Sequence, residues 1–367
     1  MKIIIIGGHL SPALSVIEKL KDWQVFYVGR KYAMEGDSAL SLEYQTINDL
    51  KIPFFEIKTG RLQRAFTRHT LLSLLKTPIG LLQALLILRK VKPDVVLGFG
   101  GYVSAPVVIA SFLLKIPVVL HEQTFEAGLA NKMLAFFAKK ICISFASSNE
   151  FFPKNKTVLT GLPLKKEVLE VEKSKEEENK IPVLFITGGS QGSHALNSLI
   201  LDSLGKLLDT FRIVHQTGDS SEFNDFENLQ SLKSLLPKEK AVRYLAKKFL
   251  DPKESASIMQ GADIVVSRSG INTVCELIYL EKPSFLIPLS FAQRNEQLKN
   301  ARFIESLGLA KVYEQNSLTS QAFVAGLLEM LKSIKSFKLK GENPITSNGS
   351  QGIVEVLKDV ASKKKDQ

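Results

Sequence analysis

The chain has 367 residues, enough for two domains of about 150 to 200 residues and two buried cores. With 45% hydrophobic and 23% charged residues it has the composition of a folded protein, which excludes a largely disordered one. A formal net charge of +11 points to an anionic partner, whether nucleic acid, a phosphorylated ligand or an acidic membrane surface.

Met1 and Lys2 precede four isoleucines and Gly7-Gly8-His9. That apolar run is too short for the core of a signal peptide and reads as a first β-strand, Ile3–Ile6. A helix over Pro12–Leu20 follows, then short β-branched runs at Val25–Val28, Val95–Leu97, Val118–Leu120 and Lys140–Ile143, with helical spacing between them. Continuous apolar strands separated by helices predict a parallel sheet covered on both faces. From Lys165 to Lys180 the sequence is rich in Lys and Glu with little to bury, and reads as a solvated linker carrying a frayed helix. The rhythm restarts at Pro182–Thr187 and runs through Phe211–His215, Val242–Leu245, Ile264–Val266 and Phe285–Ile287, predicting a second doubly wound domain. The expected boundaries are 1–163 for the first domain, 164–181 for the linker and 182–344 for the second domain. Residues 345–367 are expected to form a helix returning to the first domain, followed by a disordered Lys-rich tail. Cys142 and Cys275 lie far apart in apolar runs, as in a reduced, cytoplasmic protein.

Four glycine-rich loops follow predicted strands: Gly7-Gly8-His9, Gly98–Pro106, Gly188–Ser193 and Ser267–Thr273. Each would open at the carboxyl edge of a parallel sheet, where such folds bind ligands. Glycine lets the backbone approach an anion, and the helix start beyond it offers unpaired amides to phosphate. A tight structural turn accounts for any one loop equally well; their convergence favours binding. The G-x-G-x-x-G dinucleotide fingerprint is absent, which argues against a nicotinamide dehydrogenase. His9 at a strand end suits a general base or an anion ligand, beside the plainer reading of a solvated turn residue. Glu276, about one turn into a helix, suits a ribose diol or simply the helix dipole. His121-Glu122-Gln123 and Glu126 lie at another strand end. No metal-ligand spacing occurs anywhere, so no bound metal and no cofactor are expected.

The segment Arg61–Arg89 combines Arg61, Arg64, Arg68, Lys76 and Arg89 with ten leucines and two isoleucines. Lys76, Thr77-Pro78 and Gln83 interrupt it too often for a membrane span. A basic and apolar pair of short helices suits peripheral contact with anionic lipid; a core helix with solvated cations is the competing reading. Few phenylalanines sit beside basic clusters in the glycine loops, which argues against nucleic acid as partner.

Gly98-Phe99-Gly100-Gly101-Tyr102-Val103-Ser104, His121-Glu122-Gln123, Ala127–Lys132, Gly188–Gly192 and Ser267–Gly270 resemble, in order, the signatures of the MurG family. These are bacterial N-acetylglucosaminyltransferases that complete the lipid-linked disaccharide precursor of peptidoglycan, and the likeness runs from Lys2 to about Val360. It implies a GT-B fold, two Rossmann-like α/β domains facing a cleft. It also implies UDP-N-acetylglucosamine as donor, undecaprenyl-diphosphate-linked muramoyl-peptide as acceptor, and peripheral attachment to the cytoplasmic side of the cell membrane. Carried over residue by residue, the resemblance sets Ser190 at the donor diphosphate, Leu250 against the uracil, Ile271, Asn272, Thr273, Val274 and Cys275 at the uridine and phosphates, and Glu276 on the ribose. Gln297 and Asn300, with Glu296 beside them, would meet the sugar, and Thr124 and Lys165 would complete the donor site. Gly7, Gly8, His9, Gly100, Gly101, Tyr102, Ser104, His121, Glu122, Gln123, Glu126 and Asn131 would face the acceptor, with His9 as candidate base.

The chain departs from the family pattern in four places. The loop after the first strand is short, and Thr124 stands where asparagine is usual. Lys165 replaces arginine, keeping the charge without the bidentate geometry. Glu296 stands where His or Gln is commoner. A glycosyltransferase of the same fold acting on another lipid, such as diacylglycerol, is the alternative reading.

Overall fold

The computed structural model describes residues 1–32, 39–58, 68–172, 181–189, 191–220, 222–289 and 295–365, without the side chains of 68–77 and 364–365. Ser190, Arg61, Arg64 and the linker stretch 173–180 therefore lie outside the described residues, as do the side chains of Arg68 and Lys76. The chain divides into two compact units, residues 1–165 with 346–367, and residues 166–345.

The first unit runs β1 (Lys2–Ile6), α1 (Leu10–Ile17), β2 (Gln24–Gly29), α2 (Leu42–Asp49), β3 (Phe54–Glu56), α3 (Arg68–Val91), β4 (Val95–Gly98), α4 (Ser104–Leu113), β5 (Val118–Glu122), α5 (Leu129–Leu134), β6 (Lys140–Ile143) and β7 (Thr157–Leu159). Its seven strands pair in parallel in the order β3-β2-β1-β4-β5-β6-β7. Successive residues of β1 serve opposite faces. Ile4 and Ile6 pack with Ala84 and Leu88 of α3 and Val107 of α4. Ile3 and Ile5 pack with Ala13 and Val16 of α1 and with Ile353, Val354 and Leu357 of the C-terminal helix, Gly349–Lys365. All four isoleucines are fully buried, each contributing about 1.5–3 kcal/mol relative to exposure. Covering both faces is what makes the strands read as unbroken apolar runs.

The second unit runs α6 (Lys166–Leu169), β8 (Val183–Thr187), α7 (His194–Leu207), β9 (Arg212–Gln216), α8 (Asp225–Leu235), α9 (Lys238–Ala241), β10 (Tyr244–Lys247), α10 (Pro252–Gly261), β11 (Ile264–Ser267), α11 (Ile271–Tyr279), β12 (Ser284–Leu286), α12 (Glu296–Ser306), β13 (Ala310–Val312) and α13 (Ser320–Lys332). Its six parallel strands lie in the order β10-β9-β8-β11-β12-β13. The short helix α6 packs against α10, with Val168 buried, and so belongs to this unit's body rather than to a free linker.

In both sheets the chain winds outward on one side and then returns to the other. The reversal falls between β1 and β4 in the first unit and between β8 and β11 in the second. At such a switch point two neighbouring loops diverge and leave a crevice at the carboxyl ends of the strands. The four glycine-rich loops of the sequence are the four loops at these two points.

Local structure corrects the sequence reading in several places. The first helix begins at Leu10 and ends at Ile17, because Pro12 is tolerated in a first turn, where its missing amide costs nothing. Residues 68–91 form one continuous helix with Pro78 inside it, not two short ones. From residue 80 onward its packed stripe of Leu81, Ala84, Leu85, Leu88 and Val91 continues unbroken along one face, which holds the helix together past the proline. His121 and Glu122 are the last residues of β5 rather than its following loop. Val242 is exposed and the edge strand starts two residues later, at Tyr244.

Candidate functional site

At the switch point of the second unit lies a cavity of about 610 Å³. Its walls come from the loop after β8 (Gly188, Gly189, Gln191, Gly192, Ser193), the start of α7 (His194), the loop after β11 (Arg268, Gly270) and Thr273, Gln297 and Gln315. Gly192 adopts φ +75°, and a Cβ there would overlap the carbonyl oxygen of Thr217, so only glycine permits this loop. Ser193 caps α7 through its side chain, which accepts from the Leu196 amide.

Arg268 dominates the electrostatics of this cavity. It is 8% exposed, and burial draws its pKa down to about 10, leaving it cationic near neutrality. Its guanidinium donates to Ser193 Oγ (3.0 Å from Nε, 2.7 Å from Nη2), to the Ile287 carbonyl (2.9 Å) and to Gln315 Oε1 (2.6 Å). None of these acceptors is a carboxylate. A buried cation held, among the described residues, only by neutral oxygens at a helix N-terminus makes a cavity suited to a bound anion.

The expected donor residues sort by position. Thr273 and Gln297 line the cavity, and Gln297 Oε1 accepts from the Leu289 amide at 3.0 Å. Val274 and Cys275 are wholly buried and Ile271 is 5% exposed, so their side chains serve the core. Burial pushes the Cys275 thiol well up. Glu276 lies in the second turn of α11, not the first, and is 7% exposed. Asn300 is buried; its amide donates to the Ser269 carbonyl at 3.0 Å and its Oδ1 has no partner among the described residues. Leu250 is half-buried just beyond the edge strand β10, and Glu296 is exposed at the start of α12. Arg268 and His194 were not singled out by sequence; a polar residue flanking a glycine turn, just after β11 for Arg268 and at the start of α7 for His194, is the signal that marks them.

At the first unit's switch point the two glycine loops press together. A Cβ on Gly8 would come within 2.5 Å of the Gly100 carbonyl oxygen. His9 is exposed at the N-cap of α1, and its Nδ1 lies 2.7 Å from the Phe99 carbonyl, to which it donates. That bond fixes the tautomer and leaves Nε2 as the basic nitrogen. Beneath the loops, Ser104 Oγ donates to the Gly100 carbonyl at 2.6 Å. Gly101 and Tyr102 are half-buried, and Arg30 lies 5.2 Å over the Tyr102 ring.

His121, Glu122, Gln123 and Asn131 are all at most 5% exposed. Burial, with neighbouring His9 second, holds the His121 imidazole down to about 3, so it is neutral, with Nε2 3.1 Å from Ser144 Oγ. Glu122 accepts from the Thr124 amide and hydroxyl, the Gly128 amide and Asn131 Nδ2. Its four acceptor contacts brace the turn that leads into α5. Thr124 Oγ1 also lies 2.5 Å from the Glu126 carbonyl, so its single proton is shared between that oxygen and Glu122, inside this turn. These residues shape the surface from below rather than presenting side chains on it. Lys165 is half-buried at the end of the first unit. Among the described residues no three His, Cys, Asp or Glu side chains come together as a metal site.

Residues 6–143 match the glycosyltransferase family 28 N-terminal domain, and residues 183–357 match the family 28 C-terminal domain. A protein of Clostridium tetani described as UDP-N-acetylglucosamine–N-acetylmuramyl-(pentapeptide) pyrophosphoryl-undecaprenol N-acetylglucosamine transferase is 33% identical over 369 residues, 97% of each chain. One of the same description from Clostridium botulinum is 35% identical over 368 residues, again 97% of each chain. The crystal structure of Acinetobacter baumannii MurG superposes with TM-score 0.71 at 25% identity, covering 98% of this chain and 100% of that one. A UDP-GlcNAc 2-epimerase from Neisseria meningitidis shares the fold alone, at 18% identity and TM-score 0.65. The two units are the Rossmann-like domains of a GT-B fold.

Proposed function

The chain belongs to the MurG family within glycosyltransferase family 28, and from that premise we propose that it transfers N-acetylglucosamine from UDP-N-acetylglucosamine to the 4-hydroxyl of undecaprenyl-diphosphate-linked N-acetylmuramoyl-peptide. The observation that carries the donor half is the cavity around Arg268, a buried cation without a carboxylate partner among its acceptors, framed by a glycine loop and a helix N-terminus. It suits a nucleoside diphosphate and supports donor binding by the second unit.

The reaction is a single displacement with inversion. The muramoyl 4-hydroxyl attacks the anomeric carbon, its proton passes to His9 Nε2, and the bond to the β-phosphate oxygen breaks with its electron pair leaving on UDP. The basic Nε2 left by the Phe99 contact supports His9 as base. Arg268 and the loop amides spread the charge on the departing diphosphate. Glu276 by the ribose and Asn300 by the sugar rest on the family resemblance, both side chains being buried.

For attachment, Ile79, Leu82 and Leu86 form an exposed stripe on α3, 53% to 60% exposed and followed by Arg89 and Lys90. Phe112, Leu113, Met133 and Phe136 are exposed on the neighbouring helices α4 and α5 and the turn beyond α5. Apolar side chains with flanking cations suit the face of an anionic bilayer on the cytoplasmic side. Among the described residues no helix is long and apolar enough to cross a membrane.

The test is UDP release by the purified chain given UDP-N-acetylglucosamine, with and without the lipid-linked muramoyl-peptide. Release that depends on this acceptor supports the assignment. Release driven instead by diacylglycerol would move the chain to the alternative acceptor class.

A further inference from the structure

We propose that His194, clamped by Asp225, is an additional ligand for the donor diphosphate; this rests on the donor site assigned above. His194 is the first residue of α7 and lines the cavity. Its ring stacks on Phe223, with centroids 3.8 Å apart and planes 12° from parallel, and its Nδ1 lies 2.8 Å from Asp225 Oδ1. With Nδ1 engaged there, Nε2 is the nitrogen that can meet a ligand.

A buried chain of hydrogen bonds fixes the direction of this contact. Burial pushes the Tyr244 phenol up, so it keeps its proton and donates to His215 Nδ1 at 3.0 Å. His215 is fully buried and held neutral, its pKa lowered to about 3 by burial, so its one proton sits on Nε2 and goes to Asn197 Oδ1 at 3.1 Å. The Asn197 amide nitrogen must then donate, to the Thr217 carbonyl at 3.0 Å and to Asp225 Oδ2 at 2.8 Å. Asp225 is 8% exposed, and its remaining oxygen is left to receive Nδ1–H of His194. Four side chains from β9, β10, α7 and α8 thus converge on orienting one half-exposed imidazole at the cavity wall.

That orientation has a chemical consequence. A neutral ring donating from Nδ1 would turn a lone pair toward a phosphate oxygen, so the ring that binds is doubly protonated, with Asp225 balancing it. Asp219 and Glu227 pair with Lys248 at 2.9 Å each, and Arg268 holds Ser193, the N-cap of α7. His194 and Arg268 therefore flank the α7 N-terminus as two cationic donors for one diphosphate.

The experiment measures affinity of the full chain for UDP and for uridine by calorimetry, in wild type, His194→Ala, His194→Gln, His194→Arg and Asp225→Asn. The side chain of His194 is 46% exposed, so its truncation leaves the fold intact. The expected result is UDP binding about tenfold weaker in His194→Ala, His194→Gln and Asp225→Asn, uridine binding within about twofold of wild type throughout, and recovery of UDP binding in His194→Arg. Equal weakening for uridine and UDP would make His194 a support of the loop and overturn the proposal, as would UDP binding unaffected by any of these changes. Wild type that fails to bind UDP at all removes the donor-site assignment itself, and this inference with it.

Discussion

The two switch points share one topology and differ in chemistry. In the second unit the loops after β8 and β11 stand apart around a cavity of about 610 Å³, and a buried guanidinium lies in its wall. In the first unit the loops after β1 and β4 press together, Gly8 against Gly100. There the carboxylate of Glu43 lies against Gly7 and Gly29 and accepts from the Tyr27 hydroxyl at 2.7 Å. The same parallel sheet thus builds a cationic pocket in one unit and, in the other, a closed surface that presents His9. The fold sets where a ligand can sit; the side chains at the loop ends decide which chemistry it meets.

Variants that treat the two points separately test this contrast. His9→Ala should lower kcat by about 10²- to 10⁴-fold while leaving UDP affinity unchanged, read from steady-state kinetics and calorimetry; weaker UDP binding in that variant would contradict the division of labour. Arg268→Met should weaken UDP by about 10- to 100-fold as a charge-assisted contact is lost, and lower kcat as well, because the departing diphosphate loses its cation. Gly192→Ala should destabilise the second unit by about 1–3 kcal/mol in chemical denaturation, because alanine must hold a positive φ against the Thr217 carbonyl. A Gly192→Ala protein as stable as wild type would show that the loop relaxes freely.

Among the described residues each unit also carries one buried histidine held neutral, His121 and His215, both lowered from 6.5 to about 3. The unfolded chain binds more protons than the folded one between those values. Their contribution is therefore complete above the unfolded value and is lost as pH falls toward the folded one, about 2 kcal/mol each by about pH 5. His215→Gln should flatten the acid limb of the second unit's unfolding and leave that of the first. The smallest effect is expected from Leu82→Ser with Leu86→Ser: weaker sedimentation with anionic vesicles, and UDP affinity unaltered.

Central strands were legible in the sequence because both of their faces are buried, as in Ile3–Ile6 and Ile264–Val266. The strands not anticipated, Phe54–Glu56, Thr157–Leu159 and Ala310–Val312, are three-residue edge strands with half-exposed residues, so no apolar run marks them. The misplaced start of β10 has the same cause, since it too is an edge. The glycine loops were legible as loops, but their division into an open and a closed pair was not. It depends on Glu43, Arg268 and His194, which come from elements distant in sequence or carry no motif of their own. The block at His121–Gln123 was legible as a strand end, yet burial turns those side chains inward to brace the loop.

The most direct measurement is amide hydrogen exchange of the full chain with and without UDP. The account predicts protection at residues 187–195 and 267–273, with the loops at 7–9 and 99–102 unchanged. Protection centred on the first unit's loops, with none around Arg268, would contradict it.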